Sequence, residues 1–219
     1  MDKLLQLLGT RDTDKIIAYI KSNPEVMDKT DKTGATGFMQ ILYHRLPEVV
    51  KVAQKLKSSF TYDESIAIGR IKEVKKAIND NEEYISAFLK DGFTPIGLAT
   101  FFGQDEVAHL LFDNGADPSI CADNAMKVNA IHAATATGNF RMLELFLSNG
   151  YDPNIPQMNN ITPVQSAAYQ GNFEMVKLLV RHGADPKIKS VDDVDAIGYA
   201  KEGGHDNIVM YLKSLKKED

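Results

Sequence analysis

Residues 161–186 read ITPVQSAAYQGNFEMVKLLVRHGADP, and this stretch decides the fold because it encodes two helices and the turns on either side of them. Thr162 and Pro163 open the first helix: the hydroxyl can accept from an orphan backbone N–H, and the proline has none to lose. Ser166, Ala167 and Ala168 keep that helix slim enough for close neighbours. Gly171 ends it, where a left-handed backbone is easiest without a Cβ. Met175, Val176, Leu178 and Leu179 then follow at helical spacing along one stripe, and Gly183-Ala184-Asp185-Pro186 stops the second helix and starts an extended turn.

The same text recurs. Gly103, Gly138, Gly171 and Gly204 are separated by 35, 33 and 33 residues, and Gly115, Gly150 and Gly183 follow the first three by 12. Residues 93–118 (FTPIGLATFFGQDEVAHLLFDNGADP) and 129–154 (NAIHAATATGNFRMLELFLSNGYDPN) carry the pattern, and residues 195–215 repeat its helices. A regular unit in the thirties means a stack of supersecondary units that bury their apolar faces only against neighbours.

Toward the N-terminus the pattern wears. Residues 63–78 (DESIAIGRIKEVKKAI) place Gly69 34 residues before Gly103. Residues 31–57 keep Gly34 and Thr36, but Gly37 stands where later units have proline and Arg45 where they have glycine. Residues 1–28 give one further pair, LLQLL and DKIIAYI, around Gly9. The reading is an all-α solenoid of about seven helix pairs with short hairpin turns between them. It is one domain: a capping pair over 1–30, degenerate units over 31–58 and 60–90, regular units over 91–123, 124–156 and 157–189, and a capping unit over 190–219. One step is short, since Thr36 to its counterpart Thr61 spans 25 residues. A projecting hairpin must be missing or reduced there, with Lys57-Ser58-Ser59 as a tight link, and the junction is where the stack changes curvature or opens most easily.

Composition narrows function. Apolar residues make up 43% and charged residues 25% of 219, ordinary for a folded chain. The net charge of −5 argues against nucleic acid, which requires an excess of Lys and Arg on one face. Cys121 is the only cysteine, so no intramolecular disulfide exists. Met1 to Gly9 lacks the apolar core and cleavage site of a signal peptide, and no stretch approaches the roughly 18 apolar residues of a membrane span. A cytoplasmic protein without membrane contact is expected. Lys213, Lys216, Lys217, Glu218 and Asp219 give a soluble end, so a monomer is expected.

The search for chemistry closes on nothing. His44, His109, His132, His182 and His205 form no zinc-type pair at helical spacing with a carboxylate, and there is no phosphate-cradling glycine loop. Asp192, Asp193 and Asp195 read as a solvated loop that puts negative charge at a helix N-terminus. No catalytic residue, metal or cofactor is expected. The alternatives are a small-ligand or catalytic pocket near Cys121, Asp123 and His132, and a self-associating scaffold.

The three quoted segments resemble the ankyrin repeat, with its Gly-x-Thr-Pro-Leu-His opening, its small-residue helix ending in glycine, its Val-Val and Leu-Leu helix and its Gly-Ala-Asp stop. The resemblance covers residues 92 to about 215. It implies a non-enzymatic module that binds a protein partner through the concave face, built from hairpin tips and the exposed edge of each first helix. It also implies that His132 ties its own turn, and that His205 caps a second helix. The positions carried over are Phe93, Met126, Met158 and Asp192 at hairpin tips, and Phe101, Phe102, Thr137, Tyr169, Gln170 and Glu202 at first-helix ends. The expected patch centres on Phe101, Phe102 and Tyr169, with an acidic rim from Asp91, Asp192 and Glu202.

Overall fold

The first helix of each later unit begins at a residue able to cap it. Thr36 Oγ1 accepts from the Met39 N–H at 3.1 Å, Thr94 from Gly97 at 3.2 Å, Asn129 Oδ1 from His132 at 2.9 Å and Asp195 from Gly198 at 2.9 Å. At Thr162 the backbone N–H donates to Gln165 Oε1 at 2.7 Å. Such caps are worth about 1 kcal/mol each and fix where every unit starts.

The computed structural model describes residues 1–215, so Lys216, Lys217, Glu218 and Asp219 of the expected soluble tail lie outside the described residues. Its α-helices are α1 Asp2–Thr10, α2 Thr13–Ser22, α3 Gly37–Tyr43, α4 Pro47–Leu56, α5 Tyr62–Ala67, α6 Ile71–Asp80, α7 Pro95–Phe101, α8 Asp105–Asp113, α9 Ala130–Thr137, α10 Phe140–Ser148, α11 Pro163–Gln170, α12 Phe173–Arg181, α13 Ala196–Glu202 and α14 Asp206–Leu215. They form the seven pairs of an all-α solenoid. Odd-numbered helices pack on one another in sequence, α1 on α3 through to α11 on α13, and even-numbered helices form a second row behind them.

The core is correspondingly a strip. It runs from Leu4 and Leu8 through Phe38, Val74, Leu111, Phe146 and Leu179 to Leu212, each buried between the two rows. Thr100 and Thr135, also fully buried, return their hydroxyls to the Ile96 and Ile131 carbonyls at 2.8 and 2.9 Å. The small first-helix residues therefore serve close packing without leaving an unpaired polar atom.

Hairpins project from the first-helix row. Their necks close where the N–H groups of Asp31, Leu89, Ala122, Gln157 and Ser190 donate to the carbonyls of Ala35, Phe93, Val128, Ile161 and Val194, at 2.8 to 3.0 Å. Adjacent tips are bonded to each other: Asp123 N–H to Gly92 O at 2.8 Å, Met158 to Met126 at 3.0 Å and Val191 to Asn159 at 3.0 Å.

No hairpin forms between α4 and α5. Lys57 follows α4 directly, donating its N–H to Ala53 O at 3.1 Å, and Thr61 caps α5 in a capping box with Glu64. The hairpins on either side of the omission meet instead. A Cβ added to Gly34 would lie 2.4 Å from the Lys90 carbonyl oxygen, so glycine is needed for that approach, and Tyr43 Oη donates to Asp91 Oδ2 at 2.5 Å. Beneath them Lys57, its side chain 4% exposed, pairs with the fully buried Glu64 at 3.3 Å and with Asp28. Glu64 also accepts from Thr36 Oγ1 at 2.7 Å and from the Thr61 N–H at 2.9 Å.

Candidate functional site

The residues just ahead of each helix-joining turn line up because the first helices stack. At the N-terminal side of this line Tyr43, Phe93, Phe101 and Phe102 gather into one ring cluster. Phe101 meets Phe102 edge-on at 5.2 Å between centroids, and Tyr43 lies 5.4 Å from Phe102, 6.2 Å from Phe101 and 6.4 Å from Phe93. All four rings are half-buried. Phe101 and Phe102 thus present edges rather than whole faces, because Tyr43 from the worn unit covers them. Burial raises the Tyr43 phenol above its ordinary range, and the facing Asp91 carboxylate raises it further. Asp91 is engaged by Tyr43 and is not a free member of an acidic rim.

Tyr169 stands apart, 54% exposed, with the Tyr199 ring against it at 6.4 Å. Between the two groups α9 offers exposed Ala136 and half-buried Thr137. One patch centred on three aromatics is therefore two aromatic groups separated by a small-residue gap. Gln170, Asp192 and Glu202 are exposed, as are Met126 at 52% and Met158 at 45%. The backbone bond between those two methionines brings their hairpin tips together.

Two hollows follow from this division. One, of about 330 Å³, is lined by Arg45, Phe101, Phe102, Gly103 and Thr137. The other, of about 250 Å³, is lined by Gln157, Ile161, Gln165, Ser166, Tyr169, Gln170 and Tyr199. Both mix apolar walls with a few polar groups and are shallow clefts in a surface.

The reactive residue types are placed for structure. His132 is buried, with Nδ1 2.7 Å from Asn129 Oδ1. Its buried Nε2 has no hydrogen-bond partner among the described residues. Burial lowers its pKa to about 4, so the ring is neutral at physiological pH. It ties its own turn, as the resemblance implied. His205 reaches back to the preceding unit, Nε2 lying 3.0 Å from the Tyr169 carbonyl, in addition to standing at the start of α14. Cys121 sits half-buried in a hairpin, where burial raises the thiol above its usual range and away from nucleophilic thiolate. Asp123 lies on that hairpin's tip. Asp195 is a helix cap. Among the described residues no group of three His, Cys, Asp or Glu side chains gathers as a metal site requires.

Two participants are not singled out by repeat reasoning. Tyr199 lies within α13, and its signal is a bulky aromatic where the two preceding units have Ser166 and Ala133. Arg45 registers only as a lost glycine, yet its guanidinium carbon lies 4.9 Å from the Phe101 ring centroid.

Comparison with known proteins places this geometry. A family model described as ankyrin repeats (3 copies) matches residues 130–219, and one described as ankyrin repeats (many copies) matches residues 98–147. The "Ankyrin repeat, SAM and basic leucine zipper domain-containing protein 1" of Rhinolophus ferrumequinum is 32% identical over 125 residues, covering 52% of this chain and 26% of that protein. Its namesake from Microcebus murinus is 28% identical over 144 residues, covering 64% of this chain and 29% of that protein. The chain thus spans less than a third of the length of the curated relatives it matches. No helix among the described residues is long and apolar enough to cross a membrane. Together the two family models reach from residue 98 to residue 219, more than half of the chain, and the protein belongs to the ankyrin repeat family.

Proposed function

We propose that this protein is a non-enzymatic interaction module that binds a protein partner along the concave face formed by its hairpin tips and first-helix ends, and that it works as a cytoplasmic monomer. One observation carries the reading: the first-helix ends and tips expose Tyr169, Met126 and Met158 at about half of their surface, beyond what stacking requires. Aromatics and methionines are favoured at interface cores, the rings for their area and the thioethers for their adaptable packing. The family supports the general role, since ankyrin repeats are commonly binding modules. The buried, neutral His132 and the raised Cys121 thiol lend no support to a catalytic pocket.

The test replaces Tyr169 and Phe102 by alanine, separately, and measures both unfolding and capture of partners from the native cell by mass spectrometry. Tyr169→Ala is expected to change stability by no more than about 0.5 kcal/mol, the scale of a surface substitution, and to deplete the captured protein. Several kcal/mol of lost stability with unchanged capture would assign these rings to the stack and overturn the proposal. Light scattering reads the monomer directly.

A further inference from the structure

Arg45 stands where every later unit has glycine. Gly69, Gly103, Gly138, Gly171 and Gly204 join their helices with φ between 68° and 76°, and Arg45 adopts φ 50° at the same turn. A left-handed backbone is costly for a residue with a Cβ, and such strain concentrates where a side chain has work to do. Packing does not account for it, because Arg45 is exposed. Its guanidinium rests on the Phe101 ring, which Phe102, Tyr43 and Phe93 hold in place. Its backbone N–H bonds the Leu42 carbonyl, but among the described residues its guanidinium donates no hydrogen bond and lies within 4 Å of no carboxylate. In a chain of net charge −5 this is a cation mounted on an aromatic shelf and left open.

Its surroundings are concave on both sides. The hollow walled by Phe101, Phe102 and Thr137 lies on one flank. A second, of about 290 Å³, lies on the other, walled by Leu42, Val50, Ile68 and Phe102, with Gln54 and Gln104 at its edge. Stacking on an aromatic face leaves the planar fork of N–H groups free to take a carboxylate side-on, and immobilises the side chain before binding.

We propose that Arg45 is the specificity-determining cation of this surface, reading a glutamate or aspartate in an extended segment of the partner that has a large apolar residue two positions away on each side, so that all three side chains share one face and the apolar ones sit in the two flanking hollows. The inference rests on the interaction reading above and adds the partner's chemistry. Phe101 is the positioning residue, holding the guanidinium over the shelf.

The experiment uses the chain, ¹⁵N-labelled, and two probes: the peptide acetyl-Leu-Ser-Glu-Ser-Phe-amide, whose Leu, Glu and Phe side chains share one face when extended, and its twin with glutamine for glutamate. The glutamate peptide is expected to shift the Arg45 Nε–H resonance in a saturable way, and the glutamine twin to bind about tenfold more weakly, the scale of one charge-assisted pair. Arg45→Gly restores the residue the turn favours. It is expected to keep or raise the melting temperature while the two peptides become equal. Equal binding of the twins to the unaltered protein, no shift with either, or discrimination that survives in Arg45→Gly each overturns the proposal. A sharp fall in melting temperature for Arg45→Gly also overturns it, by making the arginine part of the stack. None of these outcomes touches the interaction reading itself, which the capture experiment decides.

Discussion

Glu64 and Gln165 occupy the same place, the third residue of a first helix, one at the worn junction and one in the regular array. Both are fully buried, and they tie the stack in opposite directions. The Gln165 amide donates forward to the Ile188 and Val194 carbonyls at 2.8 and 3.0 Å, closing the next hairpin onto its own unit. A carboxylate has no donor, so Glu64 cannot serve carbonyls. It gathers donors instead, from Thr36 and Thr61 and from Lys57 on the link where a hairpin is missing. Residue chemistry thus accompanies the change of architecture: an amide where hairpins stack, an ion pair where one is omitted.

The largest break in that comparison comes at the ion pair. Glu64→Leu leaves the Lys57 ammonium at 4% exposure with the exposed Asp28 as its remaining carboxylate partner and the Phe38 ring centroid 5.8 Å away. Removing one member of a buried pair typically costs about 3 to 5 kcal/mol, whereas replacing both by apolar residues is often nearly neutral. Urea unfolding should show that loss for Glu64→Leu and substantial recovery in the Lys57→Met, Glu64→Leu double variant. Hydrogen exchange should locate the loss in α1 to α5, since a solenoid couples mainly nearest neighbours. Equal stability of the single variant and the parent would mean that the pair contributes nothing to holding the junction. Exchange in the parent also decides between the two readings of the link: protection of residues 57–61 equal to that of later units removes the idea that the stack opens there.

His132 holds the equivalent place one unit before Gln165, and its imidazole completes the comparison. Its pKa of about 4 lies below the ordinary 6.5 because burial disfavours the imidazolium. As pH falls the unfolded chain takes up the proton first. Stability supplied by the neutral ring is therefore intact above about pH 6.5, declines between there and pH 4, and is lost below, by roughly 3 kcal/mol. His132→Gln should flatten that part of the pH–stability curve relative to the parent. Parallel curves for the two proteins from pH 7 to pH 4 would show that the ring titrates as it does in the unfolded chain.

The glycine spacing made the stack legible: helix-joining glycines at left-handed φ and the capping residues Thr94, Asn129, Thr162 and Asp195 stand where the periodicity puts them. The short step from Thr36 to Thr61 likewise foretold the missing hairpin. What it could not foretell is that the flanking hairpins then touch, because Gly34 against Lys90 and Tyr43 against Asp91 are contacts between units that are not neighbours along the chain. The same contact between units puts Tyr43 on Phe101 and Phe102 and splits the expected patch. Lys57 likewise read as a polar linker residue, since nothing along the chain shows that Glu64 will be buried beside it. Periodicity reports what each unit does for itself; the candidate surface is made of what units do to each other.

The smallest expected effect is at Gln165, and it is the most local. Gln165→Leu keeps the volume but withdraws both donors, leaving the Ile188 carbonyl to find water and the Val194 carbonyl with the Ser190 N–H alone, and it removes the acceptor of the Thr162 N–H. An orphaned buried acceptor costs about 1 to 3 kcal/mol, and partial access to solvent at the hairpin neck keeps the effect toward the lower end. The loss should fall on the hairpin that the amide closes and on α13 and α14 beyond it, as faster exchange there with α7 to α10 unchanged. The same substitution bears on the partner surface, because Gln165 also lines the hollow beside Tyr169 and Tyr199. Capture that falls for Gln165→Leu in step with exchange at α13, and is restored where a tighter terminal unit is engineered, would tie the interface to the order of the last hairpin. Unchanged exchange at α13 would mean that the amide's two bonds hold nothing the backbone does not hold alone, and the forward tie would lose its half of the comparison.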